Sequence, residues 1–268
     1  MVDKSEKFSW LVRVGYFSRA ILYFVLGLIA LTSASKIEEG TNGIFRAIKD
    51  YPAGTAILWI MVIGLIAYAL FRFCSPLFDI ENTGSDSKGW AKRIGHAGSG
   101  IAHLALAYSA YKFATSSGSS GSSGSGAQEA ASGVLSVDFG GVVLGLLGIA
   151  LFVAAIFQAK KGITGEFMHR ISGRAPSATR WLGGAGYLAR AVVYAVIGWS
   201  LFKAGFMSGG AEQIKTLGDA VSSLAGEGFV FTLTAIGLML FGLFSLVLAR
   251  YRIIPELDSS AGVPKFRA

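Results

Sequence analysis

The sequence predicts an all-α polytopic membrane bundle of six transmembrane helices, built from three parallel two-helix repeats with a pseudo-threefold arrangement. The 268-residue chain is 53% hydrophobic and only 15% charged, and its mean hydropathy is +0.56. Soluble domains carry charge on about 25% of their residues. Six segments are long and apolar enough to span a bilayer, and one motif recurs three times. This composition excludes an ordinary soluble enzyme, a disordered chain and, with one cysteine, a disulfide scaffold.

Each candidate span holds roughly 20 mainly apolar residues, the length that a hydrocarbon core about 30 Å thick requires. Backbone polar groups in lipid must be paired within the segment, so helices are expected. The third span is the least apolar because it contains His96, His103 and several Gly and Ser residues. All six belong to a single membrane domain over residues 1–268. The predicted spans are Val14–Ala34, Ala53–Phe73, Ile94–Ala114, Phe139–Ala159, Ala185–Phe206 and Gly228–Ala249.

The basic residues predict the orientation of these spans. Of the 24 Lys and Arg residues, 18 fall on the side that holds both termini and 6 on the other side, whereas the acidic residues divide evenly. Cytoplasmic loops are enriched in Lys and Arg, so both termini are expected in the cytoplasm. The net charge of +8 then predicts contact with anionic inner-leaflet lipids. Nucleic-acid binding is not expected, since no basic module is large enough to fold separately.

Internal repetition is the most informative feature of the sequence. The segment that follows Val14 has Gly, Tyr, Arg, Ala and a second Tyr at the same places as the segment that follows Ala185. In a middle copy, His96 and His103 take the places of the two Tyr residues, and Ser99 takes that of the Arg. The second helices echo one another through Gly64 and Tyr68, Gly148 and Phe152, and Gly237 and Phe241.

Two helices in each unit give all three units the same orientation across the membrane, as in parallel repeats about the membrane normal. The predicted repeats cover about residues 10–73, 90–159 and 181–252. Residues 44–48 and 217–224, in the outer loops of the first and third units, are expected to form short amphipathic helices at the interface. The middle unit instead carries a Ser/Gly linker at 116–126, a composition typical of flexible spacers.

The tripled Gly-Tyr/His-x-x-Arg/Ser…Tyr/His pattern, the six spans and the closing sequence Ala249-Arg250-Tyr251-Arg252 resemble the bacterial membrane family catalogued as domain of unknown function 1206. The resemblance covers the chain from about Trp10 to Ile254. It implies a bacterial inner-membrane protein with three two-helix units and no assigned activity. The middle unit departs from the pattern at Ser99, which stands where the other two units have Arg.

The repeated polar residues are the candidate functional site. Their spacing of three and seven residues places them on one face of the first helix of each unit, so three such faces would line a common axis. Intramembrane ionisable groups are functional candidates. The candidate lining comprises Tyr16, Arg19, Tyr23, His96, Ser99, His103, Tyr187, Arg190 and Tyr194.

Simpler roles for these residues stay open. Arg19 and Arg190 lie within a turn or two of the basic helix ends and can reach the headgroups. Tyr16 and Tyr187 fit an interfacial aromatic belt. The two His residues could form a proton route, but neutral His hydrogen-bonded between helices is the simpler interpretation.

Glycines inside the spans predict close helix packing, because van der Waals contact drives helix association in lipid. The same face could instead belong to a homo-oligomer. The expected packing positions are Gly15, Gly27, Gly64, Gly95, Gly141, Gly145, Gly148, Gly186, Gly198 and Gly237.

No catalytic constellation, metal site or cofactor motif is present in the sequence, so an enzyme is not expected. The favoured function is a structural or partner-binding component of the inner membrane. The alternative is a small-solute or proton transporter that uses the polar lining.

Overall fold

The computed structural model describes residues 4–32, 40–77, 86–115, 126–207 and 210–254. Over these residues the fold is helical, which confirms the all-α class, and an isolated bridge between Ile171 and Arg252 is the extended pairing present. Six long helices coincide with most of each predicted span. The predicted starts at Ala53, Phe139 and Gly228 precede their helices by one residue, and the predicted end at Ala34 lies outside the described residues. A short helix lies between the two members of each pair. In chain order the helices are α1 (Lys4–Thr32), α2 (Gly40–Lys49), α3 (Gly54–Leu77), α4 (Ser87–Thr115), α5 (Gly126–Leu135), α6 (Gly140–Thr164), α7 (Thr179–Phe206), α8 (Leu217–Ser222) and α9 (Phe229–Tyr251).

Five of the long helices are long and apolar enough to cross a membrane. The sixth, α4, has 29 residues but falls short in hydropathy. Lys92 and Arg93 lie in its first turns, and His96 and His103 follow. The five apolar segments are Val12–Thr32, Gly54–Cys74, Gly140–Thr164, Thr179–Phe206 and Phe229–Tyr251.

The long helices form a ring with one opening. Each packs against the next long helix along the chain, and the last, α9, packs against the first, α1. The exception is the pair α4 and α6, which do not pack against each other although the sequence assigns both to the middle repeat. Instead α4 packs on α3, and α6 packs on α7. The two-helix contact expected within a repeat therefore occurs in the first and third units but not in the second.

Glycine allows the helix backbones to approach closely, most clearly between α6 and α7. A Cβ atom added to Gly148 would lie 2.6 Å from the Phe202 nitrogen and 2.7 Å from the Gly198 oxygen. All the expected packing glycines except Gly95 lie against a neighbouring helix in this way. Gly95 was expected to pack against a neighbouring helix, but nothing lies within 4 Å of its Cβ position.

The first and third units pack their two helices through equivalent contacts. The Cβ position of Gly15 lies 2.9 Å from the Cα atom of Tyr68, and that of Gly186 lies 2.7 Å from the Cα atom of Phe241. These glycines and aromatic residues occupy matching places in the sequence copies. The matching glycine of the middle unit is Gly95, which is uncovered because α6 packs elsewhere.

A residue with a positive φ precedes the second helix of all three units. Ala53, Phe139 and Gly228 each have a positive φ, at 64°, 65° and 44°, and each directly precedes α3, α6 or α9. L-residues rarely adopt this conformation, which costs about 1–2 kcal/mol. Gly54 and Gly140 follow Ala53 and Phe139 and lie against a backbone carbonyl oxygen near the end of the preceding short helix.

The short helices cover one end of the ring. The predicted segment 44–48 lies in α2, and the predicted segment 217–224 begins with α8. Thr216 and Asp219 form a capping box at the start of α8, which explains why this helix begins there. α2 and α8 also contact each other. Most of the predicted Ser/Gly linker, residues 116–125, lies outside the described residues, and α5 begins directly after it.

The opposite end of the ring is tied together by the chain that leaves α9. Arg13 Nη1 donates hydrogen bonds to the carbonyl oxygens of Ala249 at 2.8 Å and Arg250 at 2.6 Å. A cation at a helix C-terminus also interacts favourably with the helix dipole. The nitrogen of Ile253 then donates to the Arg170 oxygen at 3.0 Å. The first helix, the last helix and the segment after α6 therefore meet at this end.

Adding a methyl group at Gly148 tests the close approach of α6 and α7. We expect Gly148→Ala to destabilise the fold by about 1–3 kcal/mol, because the new Cβ would meet backbone atoms that cannot move independently. Gly98→Ala on α4 is the matched control, since its Cβ position is open and Ala favours the helix. The measurement is chemical unfolding in detergent micelles. Equal unfolding midpoints for the two variants would contradict the packing.

Candidate functional site

The repeated polar residues of α1 meet side chains of α3 and α9 in the centre of the ring. The Arg19 side chain is only 4% exposed. Its Nη1 donates to the Tyr68 hydroxyl at 2.7 Å, and its Nε donates to the Ser245 hydroxyl at 3.2 Å. Arg19 therefore joins three of the long helices.

Aromatic rings surround the Arg19 guanidinium. Its central carbon lies 4.6 Å from the ring centroid of Tyr16, 5.2 Å from that of Tyr68 and 4.9 Å from that of Phe241. All three rings are at most 2% exposed. The faces of such rings carry negative potential, so they attract the cation where water is absent.

Arg190 of α7 has a similar environment with one difference. Its side chain is 8% exposed, and its guanidinium carbon lies 4.6 Å from the Phe241 centroid, so both buried arginines contact this ring. It also lies over the rings of Tyr23 and Tyr194. Phe241 has no hydroxyl where the first unit has Tyr68. Arg190 Nη2 donates instead to the Tyr194 hydroxyl, one turn along its own helix.

A second hydrogen-bond path leads from Tyr68 to α4. The Tyr68 hydroxyl also accepts from Arg72 Nε at 3.0 Å, and Arg72 Nη1 lies 3.2 Å from His96 Nδ1. A guanidinium can only donate, so His96 Nδ1 is the acceptor and carries no proton. Residues of α4 are thereby connected to Arg19 through Arg72 and Tyr68.

His103 occupies the place of Tyr23 in the repeat and packs in the corresponding way. Its ring centroid lies 4.5 Å from that of Tyr68, while Tyr23 lies 4.9 Å from Phe241. His103 Nδ1 donates to the Ser99 carbonyl oxygen at 2.6 Å. His96 and His103 thus have different polar partners among the described residues, and no hydrogen bond joins the two rings.

The structure brings most of the predicted lining together. The side chains of Arg19, Arg190 and Tyr16 are buried among the helices of the ring. Tyr187 is half-buried against Phe167, Phe241 and Phe244 at the edge of the centre. Ser99 takes part through its backbone, because its carbonyl oxygen accepts the hydrogen bond from His103.

Several central residues do not belong to the predicted lining. Tyr68 and Phe241 follow the packing glycines of the second helices by four residues, so they lie on the same helix face. That spacing could have predicted that both rings pack against the first helices of their units. Arg72 and Arg252 carry no comparable signal. The Arg252 guanidinium nevertheless lies 5.3 Å from the Tyr16 ring centroid.

The charge of this centre is positive. Glu6, at the start of α1, is the one acidic residue within the six long helices. Among the described residues, Arg19 Nη2 and Arg190 Nε are buried without a hydrogen-bond partner. No three His, Cys, Asp or Glu residues of the described chain lie close enough to hold a metal ion. The two arginines can therefore attract a negatively charged group as well as the electron-rich ring faces that surround them.

Removing one oxygen atom tests the central contact of the site. We expect Tyr68→Phe to lower the free energy of unfolding by about 2 kcal/mol, because two guanidinium groups lose their shared acceptor. Tyr108→Phe is the matched control, since Tyr108 is exposed on α4. Chemical unfolding in detergent micelles measures both. A Tyr68→Phe variant as stable as the control would show that the hydroxyl does not hold the centre together.

Comparisons with known proteins identify the family of the chain. The model of the family described as Domain of Unknown Function (DUF1206) matches residues 14–78, 94–165 and 185–252. A Bacillus subtilis (strain 168) protein named "Uncharacterized protein YxxB" is 28% identical over 262 residues, which are 93% of this chain and 94% of the relative. No solved structure matches the chain significantly. Because the three matched segments cover most of its length, the chain belongs to the DUF1206 family.

Proposed function

We propose that the chain is a six-span bacterial inner-membrane protein that acts as a structural component and binds a partner helix along α4. The observation that carries this proposal is the uncovered face of α4 beside an otherwise packed ring. The five apolar helices support the membrane assignment. α4 supports a sixth span because its 29 residues exceed a bilayer core in length at about 1.5 Å per residue.

The proposed span also presents two suitable faces. Ile94, Ile101 and Tyr108 are exposed, as side chains that meet lipid would be, while His103 is buried against α3. Lys92 and Arg93 lie at one end, where cations can reach the headgroups. The equivalent packing of Gly15 and Gly186, and the three positive-φ residues, support the three parallel repeats.

A structural role fits the centre better than transport does. A carrier needs a continuous polar path across the bundle, but the almost completely buried rings of Tyr16, Tyr68 and Phe241 line the centre. A cavity of about 480 Å³ lies outside it, between α5, α7 and α8, and includes Ser200 and Lys203. The hydrogen-bonded path from His96 to Arg19 is the observation that favours the alternative of proton or solute transport.

The face of α4 fits a second transmembrane helix. Gly15 and Gly186 are each covered by a helix, and Gly95 is their counterpart with nothing near it. Gly98 is also open, and Ala102 continues the same exposed face. Small residues permit a close backbone approach in lipid. Because exposed Lys92 flanks this face, we propose that the partner helix carries Asp or Glu at its cytoplasmic end.

Photo-crosslinking tests the docking face. With a photoreactive residue in place of Ala102, we expect a crosslink in native membranes to a helix with an acidic cytoplasmic end. The Lys92→Glu change should lower its yield at least fivefold. A photoreactive residue in place of Ala150, which is exposed on α6, is the control and should give no such adduct. An adduct of two copies of this chain, or lipid adducts alone, would overturn the proposed partner.

Reporter fusions test the number and direction of the spans. A fluorescent protein that matures only in the cytoplasm should be active at both termini. Alkaline phosphatase, which needs the oxidising side, should be active when inserted into the 116–125 segment after α4. Phosphatase activity at either terminus would contradict the orientation, and an inactive insertion at 116–125 would exclude α4 as a span.

A further inference from the structure

Two buried cations share one aromatic ring in the centre of the bundle. The guanidinium carbons of Arg19 and Arg190 lie 4.9 Å and 4.6 Å from the centroid of Phe241. Both side chains are more than nine-tenths buried. Arg19 comes from the first repeat and Arg190 from the third, so their environment lies where these two units meet.

Each of these cations has a buried N–H group without an acceptor. Arg19 Nη2 and Arg190 Nε have no hydrogen-bond partner among the described residues. A guanidinium carries its five N–H groups in its own plane. Ring faces above that plane attract the charge but do not accept these in-plane hydrogen bonds. The aromatic residues therefore leave at least one N–H group of each guanidinium without a hydrogen-bond acceptor.

No carboxylate among the described residues meets that demand. Apart from Glu6, at the start of α1, the six long helices contain no Asp or Glu residue. The acceptors present are hydroxyl groups, from Tyr68 and Ser245 for Arg19 and from Tyr194 for Arg190. Two neighbouring positive charges in a low-dielectric interior favour a negative ion strongly, because their attraction for it is poorly screened.

We propose that the centre binds one small monovalent anion, of the size of chloride, at the unpartnered N–H groups of Arg19 and Arg190. The buried rings of Tyr16, Tyr68 and Phe241 surround this region, so we expect it to select a small ion over a large oxyanion. Ser99 replaces the third arginine in the middle unit, so the bundle holds one anion rather than a set of three. This site is independent of partner binding at α4, because the two arginines lie on other helices.

Anion-dependent stability tests the site in the purified full-length protein. Thermal unfolding is followed in detergent with sodium gluconate or sodium chloride at equal ionic strength. We expect saturating chloride to raise the midpoint by about 5 °C relative to gluconate. Bromide should act like chloride, and sulfate should have no effect beyond that of gluconate.

Variants locate the effect. Arg190→Gln should reduce the chloride-dependent rise to less than one third, while Arg174→Gln, an exposed arginine outside the ring, should retain it in full. Chlorine NMR of the wild-type protein provides a second readout: bound chloride should broaden the chloride signal, and bromide should reverse the broadening. Equal midpoints in chloride and gluconate, an undiminished rise in Arg190→Gln, or an unbroadened NMR signal would each overturn the proposal.

Discussion

Burial of positive charge without a neighbouring carboxylate is the constraint on which the centre of this bundle depends. Moving a charged group from water into an apolar interior is costly unless it gains partners there. Arg19 meets that cost with hydroxyl groups and ring faces from α3 and α9. Arg190 uses the same Phe241 ring together with tyrosines of α1 and α7. Each arginine contacts groups from three helices, so four helices must assemble before both charges have these contacts.

The same constraint accounts for the opening of the ring. The first and third units each contain an arginine and an aromatic residue of their second helix that covers it. The middle unit has Ser99, which brings no charge that needs covering, and its second helix α6 packs on α7. Glycines of α6 and α7 make that alternative contact very close. Ser99 therefore needs no covering ring from α6, and the close glycine contacts favour the packing of α6 on α7.

Much of this arrangement could be predicted from the sequence. The five apolar helices follow from hydropathy, and the face that carries Tyr16, Arg19 and Tyr23 follows from helical spacing, because both depend on local sequence alone. The split of the middle unit could not be predicted, since it depends on which of two helices offers α6 the better packing surface. The roles of Arg72 and Ser245 were equally hidden, because they arise from contacts between helices that are distant in the sequence.

Closure of the ring between its first and last helices bears on the biosynthesis of the protein. Arg19 is made early, but two of its partners, Phe241 and Ser245, lie on α9, which the ribosome completes last. Until α9 is made, the nascent chain holds the Arg19 guanidinium without these two contacts. A product truncated before α9 would display that cation permanently, and such a defect is one that membrane proteases can recognise.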